Sequence, residues 1–278
     1  MSFPVLTATL LALSAAVLHA AWNLWVKQSG DRWMALWGQM TAAGAGGLVV
    51  ALAVGIPQGF VWWPAVASGA IHLFYVSALA RSYDLADFSV TYPVARGSGA
   101  LLAAAGGVLF LGDSLSPLMV AGIAVAVAGI VLLAGHADGA HARAALVVGA
   151  FIACYSLVDS HGSRVNSGGV YPLLIFTTTG LFMTAHGLAA GRRTEMALAM
   201  RLQWRRFALA GSASALTYWL VMLAVRRAPV GYVTALRESS VVIVALVGTR
   251  YLGEDGLRRR VGAAAVVLAG LVILVLGR

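Results

Sequence analysis

Arg96-Gly97-Ser98-Gly99 opens an apolar run that ends at Leu111-Gly112-Asp113, and Arg237-Glu238-Ser239-Ser240 opens a second that ends at Leu252-Gly253-Glu254. One constant offset brings the arginines, the serines Ser98 and Ser239, the Leu-Gly pairs and the closing acids into register, and it also pairs Gly129 with Gly270. Leu-Gly-acid alone is what a helix end looks like, because glycine terminates helices well. An arginine at matching depth in both runs has no such explanation, so the chain reads as a duplication. Trp22-Asn23 lie opposite Tyr155-Ser156 in a looser match of the same kind.

The composition around these runs excludes a soluble surface. The chain is 60% hydrophobic and only 10% charged, whereas soluble domains carry roughly 25% charged residues. Stretches of about 20 apolar residues, long enough to cross a ~30 Å hydrocarbon core, recur along nearly the whole length. They are continuous and rich in Leu and Ala, which predicts helices; a barrel would alternate polarity in ~10-residue segments. The expected spans are 5–25, 33–54, 61–81, 88–111, 117–135, 144–160, 171–190, 207–226, 230–252 and 261–276. Gly55-Ile56-Pro57-Gln58-Gly59 reads as the turn after the second. The N-terminal stretch has no Lys or Arg before Lys27 and so lacks the basic flank of a cleaved signal; it reads as a retained first span.

The expected fold is therefore an all-α membrane protein of ten transmembrane helices in two five-helix repeats, residues 1–135 and 144–278. Five is odd, so the second repeat enters the membrane from the opposite side, an inverted arrangement common among secondary transporters. Basic residues cluster in the loops after odd-numbered spans, with Arg192, Arg193, Arg201, Arg205 and Arg206 after the seventh. The positive-inside rule then places those loops in the cytoplasm and both termini outside. The formal charge of +9 is an orientation signal and no nucleic-acid signature. The expected location is the inner or plasma membrane.

Three stretches carry a family resemblance: His19-Ala20-Ala21-Trp22-Asn23-Leu24-Trp25-Val26-Lys27; Tyr92-Pro93-Val94-Ala95-Arg96-Gly97-Ser98-Gly99; and Ala228-Pro229-Val230-Gly231-Tyr232 with Ala235-Leu236-Arg237-Glu238-Ser239-Ser240. Together they resemble the EamA-type members of the drug/metabolite transporter superfamily, over nearly the whole chain. The resemblance implies ten helices, two inverted halves, a central cavity and secondary transport of small metabolites, often export. It is weak for substrate.

Charged groups inside a bilayer cost at least ~2.5–3.5 kcal/mol and usually face a partner or a watery cavity. Arg96 lies about two turns, ~12 Å, into its span, and Arg237 is at similar depth. Both are read as flanking a central cavity and attracting an anionic group, since a guanidinium can grip a carboxylate or phosphate with two parallel bonds. Tyr92 shares a helix face with Arg96, and Pro93 between them removes a backbone donor. Glu238 points about 100° from Arg237 and reads as an arginine's partner, with a coupling proton as its other role. His72 and Tyr75 form one row, His19 and Asn23 another with Trp22 beside it; these rows are candidates to line the cavity. Histidine suits proton coupling, while an interhelical hydrogen bond is its blander role. Tyr155 and Tyr218 are weaker candidates, since aromatics also simply pack. Asp159, His161 and Arg164 are placed at the water boundary. Gly99, Ala103, Gly106, Gly122 and Ala126 read as close-packing positions.

No P-loop occurs, so the energy source is expected to be a proton gradient or solute exchange. No cofactor or metal is expected; the single Cys154 and the histidines have no metal spacing. An intramembrane enzyme is a poor alternative, because neither His-Glu-x-x-His nor Gly-x-Ser-x-Gly is present. A non-transporting membrane subunit is the other alternative. The expected partners are the lipid bilayer, a small-molecule substrate and a coupling proton, for a monomer or homodimer.

Overall fold

The computed structural model describes the backbone of residues 3–27, 29–85, 88–134, 139–166, 169–240 and 257–277. Within these ranges the side chains of 20–27 and 88–93, among others, lie outside the described residues. Ten helices and no strand occur among the described residues: α1 Phe3–Lys27, α2 Arg32–Val54, α3 Trp63–Leu85, α4 Phe88–Leu111, α5 Pro117–Ala134, α6 Gly139–Val165, α7 Tyr171–Ala189, α8 Arg193–Val225, α9 Val230–Arg237 and α10 Leu257–Leu276. Six of them contain stretches long and apolar enough to cross a membrane: Arg32–Val54, Trp63–Ser82, Val94–Leu111, Arg143–Val165, Tyr171–Ala189 and Arg193–Val225. Shorter apolar helical stretches occupy Leu6–His19, Pro117–Leu132 and Ala265–Leu276. Large apolar side chains point outward, with Leu109 75%, Phe110 78% and Leu202 70% exposed. In water such a surface would be an aggregation liability, whereas in lipid it costs nothing. This is the architecture of a multi-pass membrane protein.

Local sequence explains where the helices begin and end. Asp31 caps α2 by accepting the Met34 N–H at 2.8 Å. The turn after α2 reverses through Gly55 and Gly59, whose φ values of 84° and 77° suit glycine. The end of α4 at Leu111 is followed by Gly112 at φ 68°. Two expected boundaries move. The sixth span was expected from residue 144, but α6 starts at Gly139. The arginine-rich stretch expected as a loop before residue 207 is instead the first part of α8, a helix of 33 residues. Met196-Ala197-Leu198-Ala199-Met200-Arg201-Leu202 is made of strong helix formers, and their propensity continues the helix through the charges. At 1.5 Å per residue α8 is about 50 Å long, beyond a ~30 Å core. The expected ninth span, 230–252, is described only to Ser240; it contains α9, which tightens at Glu238 as that N–H bonds to Ala235 O at 3.0 Å.

The helices pair in a regular pattern. α1 packs on α8 and α3 on α6; α2 packs on α8 and α3 on α7; α4 packs on α6 and α1 on α9; α2 faces α7 and α5 faces α10. Small residues set these distances. A Cβ at Gly44 would stand 2.5 Å from Phe176 O across α2–α7. At Gly129 it would stand 2.6 Å from Val267 N across α5–α10, and Gly270 presses equally hard on Ala126 from the other side. Gly99 and Gly106 face Ile152 and Leu157 of α6, and Gly122 faces Leu274 of α10. The expected close-packing glycines thus sit at helix contacts.

Candidate functional site

Among α1, α2, α3, α6, α7, α8 and α9 lies a cavity of about 60 Å³. His19 on α1, His72 and Tyr75 on α3, Tyr155 on α6, Tyr218 on α8 and Arg237 on α9 all reach it. Six residues singled out from the sequence therefore meet in one place. The cavity holds little more than a water or two in this conformation. Trp22, Asn23 and Tyr92, also singled out, have side chains outside the described residues; the backbone of α4 runs as one helix through Pro93.

Aromatic rings build one wall. The His72 ring stacks on Tyr155 with centroids 4.3 Å apart and an interplanar angle of 27°. Tyr75 meets Tyr155 edge-on at 5.4 Å, and Tyr218 meets His72 edge-on at 6.1 Å. Phe176 backs Tyr218 at 5.9 Å. The Nδ1 of His72 lies 2.9 Å from Ser68 O and 3.2 Å from Ser68 Oγ. A carbonyl can only accept, so Nδ1 carries the proton, and in the neutral ring Nε2 is the acceptor.

The two arginines have different surroundings. Arg96 is buried, and its Nη2 and Nε contact Oε1 and Oε2 of Glu238 at 2.8 and 3.1 Å. This two-point ion pair ties α4 to the segment after α9. The Glu238 expectation of an arginine partner matches it. Arg237 is 5% exposed and is not ion-paired among the described residues; its buried Nε has no hydrogen-bond acceptor among them. Among the described residues, no aspartate or glutamate lines the cavity that Arg237 enters. The Thr179 hydroxyl, also on the cavity wall and 1% exposed, has no partner among the described residues either. An unpaired buried donor costs free energy, and an incoming anion would satisfy it.

Sequence reasoning missed Thr179, Ser214 and Asp159. Thr179 and Ser214 are neutral and small, with nothing in an apolar run to distinguish a cavity hydroxyl from a helix-packing one. Asp159 had been placed at the water boundary, but it is fully buried, with Tyr171 donating to its Oδ1 at 3.2 Å and Tyr218 donating to its Oδ2. The shift has a physical cause: α6 runs on to Val165, so Asp159 is more than a turn inside it. Arg164 does stand at a helix end. It bridges Asp113 Oδ1 at 2.8 Å and donates to Val225 O, while Asp113 Oδ2 accepts the first N–H of α9, that of Val230, at 2.7 Å. Arg226 returns the clasp by donating to Ser163 O at 2.6 Å and to Asn166 O.

No family model and no curated protein matches the chain. Among solved structures 27 chains match. One, described only as "Crystal structure of protein", superposes with a TM-score of 0.76 over 98% of this chain and 98% of its own at 19% identity. At that identity the likeness is one of fold: this chain shares, over almost its whole length, the helical architecture of a protein seen in a crystal.

Proposed function

We propose that this protein is a secondary transporter that moves a small organic anion by alternating access, with Arg237 as the group that receives the negative charge. The observation that carries the reading is the cavity among the helices, walled by tyrosines and histidines, into which a guanidinium enters without an ion-pair partner among the described residues. Charge inside a membrane marks solute pathways more often than packing. Arg96, at the matching position, is held by Glu238 and serves to lock helices rather than to meet the solute.

The helix pairing supports the duplicated, ten-span reading. Exchanging α1–α5 with α6–α10 turns the α1–α8 contact into α6–α3, α2–α8 into α7–α3 and α4–α6 into α9–α1, and all of these contacts exist. The resemblance to EamA-type transporters points the same way, as does the mechanical use of oppositely inserted halves, which can rock about a site at the midplane. The energy source in this reading is solute exchange or a proton gradient, since the sequence has no nucleotide-binding loop.

The test is counterflow. Purified protein in liposomes is loaded in separate assays with unlabelled glutamate, lactate or glucose 6-phosphate, and entry of the labelled compound is followed. Flux of at least one anion that falls to background in Arg237→Ala, with unchanged thermal unfolding, is the expected result. Absence of exchange for every anion class, or full exchange without Arg237, sinks the reading.

A further inference from the structure

The membrane interior holds a second acid besides Glu238, and its surroundings are of another kind. Asp159 on α6 is fully buried, as Glu238 is. Glu238 faces a guanidinium at two points. Asp159 has no ion pair among the described residues; its two carboxyl oxygens are held by phenols, Tyr171 from α7 and Tyr218 from α8. The other titratable or charged groups about it are Tyr155 on α6, His72 on α3 and Arg237 on α9, and Ser68 on α3 stands close enough to interact with it. Arg237 acts on Asp159 only through its longer-range field.

An uncompensated carboxylate is expensive inside a membrane, and neutral hydroxyl donors offset that expense only in part. The remaining balance is delicate, because removing one donor from an ionised carboxylate costs more than removing one from a neutral acid. Tyr218 is the adjustable donor: its hydroxyl holds Asp159 while its ring walls the cavity against His72 and Phe176. Tyr171, by contrast, is fully buried and packs outside the cavity lining. A solute that moves Tyr218 uncovers Oδ2, and a proton from water then forms the O–H bond there. No electrons move, and the site changes from one negative charge to none.

We propose that Asp159 is a proton-binding site whose occupancy is set from the central cavity through Tyr218. Its purpose rests on the transport reading above; its chemistry rests on Asp159's own contacts.

The test is isotope-edited infrared spectroscopy of the full chain in detergent, with the aspartates carrying a 13C carboxyl carbon and the pH taken from about 9 to about 4. The label separates Asp159 from Glu238. The expected result is a 13C-shifted carbonyl band of a buried protonated acid that grows as pH falls and is missing in Asp159→Asn. Tyr218→Phe removes a donor from the ionised form and raises the proton affinity read from the band roughly tenfold. A wild-type spectrum with no such band, or a band that persists in Asp159→Asn, overturns the proton site. A midpoint indifferent to Tyr218→Phe overturns the link to the cavity. Should Asp159→Asn not fold, Tyr171→Phe carries the assignment, since it too must move the band. The titration needs no solute. It can therefore fail while Arg237-dependent counterflow stands, and counterflow can fail while Asp159 still titrates.

Discussion

Arg96 and Arg237 occupy matching places in the two halves of the sequence, and the molecule uses them differently. The residue after Arg96 is Gly97, and the residue after Arg237 is Glu238. That one difference decides the outcome. Glu238 does not neutralise its neighbour in sequence; it points away around the helix and meets Arg96 of the other half with both oxygens. One arginine locks α4 to the segment after α9, and the other is left beside the cavity with a buried N–H that has no acceptor among the described residues. Matching arginines thus take different roles because a carboxylate follows only one of them in the sequence.

The comparison breaks most forcefully at the lock. Glu238→Ala or Arg96→Ala leaves a buried charge alone and should cost about 3–5 kcal/mol, seen as a large fall in thermal unfolding temperature or a failure to purify. Replacing both with hydrophobic residues of similar volume, Arg96→Met with Glu238→Leu, should recover most of that loss. If each single variant unfolds like the wild type, the pair is no lock. At Arg237 the contrast should invert. Arg237→Ala is expected to leave folding nearly intact and to weaken anion affinity by ten- to a hundredfold, about 1.5–3 kcal/mol for a charged hydrogen bond. Arg237→Lys should fall between, since an ammonium keeps the charge but not the fork. Binding isotherms for whichever anion shows counterflow decide this.

Where the halves do behave alike, paired substitutions should too. Gly129→Val and Gly270→Val each force a side chain into the partner backbone across α5–α10, and each should destabilise by about 1–3 kcal/mol. Strongly unequal costs in chemical denaturation would show that the two sides of this contact differ in stiffness. The smallest effect belongs to Asp31, at the rim. Burial pushes its carboxyl up, but the Met34 N–H and the Arg192 guanidinium outweigh that and hold it below the usual carboxylate range. A depressed value means stability that is present at neutral pH and lost as acid reprotonates the group, below about pH 4. The pair is half-exposed, so Asp31→Asn should cost under about 1 kcal/mol, and the difference from wild type should vanish in acid.

The all-helical, multi-pass character was legible because lipid imposes long apolar runs, six of which are helices long enough to cross a membrane, and the Phe88–Leu111 helix ends where Leu111-Gly112 says it should. The start of α8 was not legible. Arginines mark the water boundary equally well on a loop or on a helix that projects past it, and only Ala, Leu and Met propensity separates the two. In the cavity, His72, Tyr75, Tyr155, Tyr218 and Arg237 could be found because polar or aromatic groups in apolar runs are few. Asp159 escaped because it lies near the end of its apolar run, and the helix continues past it to Val165, where Arg164, Arg226 and Asn166 find backbone partners. The division of labour between the arginines was beyond reach, since it depends on which way Glu238 faces across a helix contact.

The contact of α5 with α10 has one mechanical consequence. Gly122, Gly129 and Gly270 bring the two backbones into close contact, so neither helix can slide or roll along the other without collision. A cavity that must expand to admit a solute cannot do so by parting this seam. In the transport reading these two helices would be the fixed axle, and the travel would belong to the helices that carry His72, Tyr218 and Arg237.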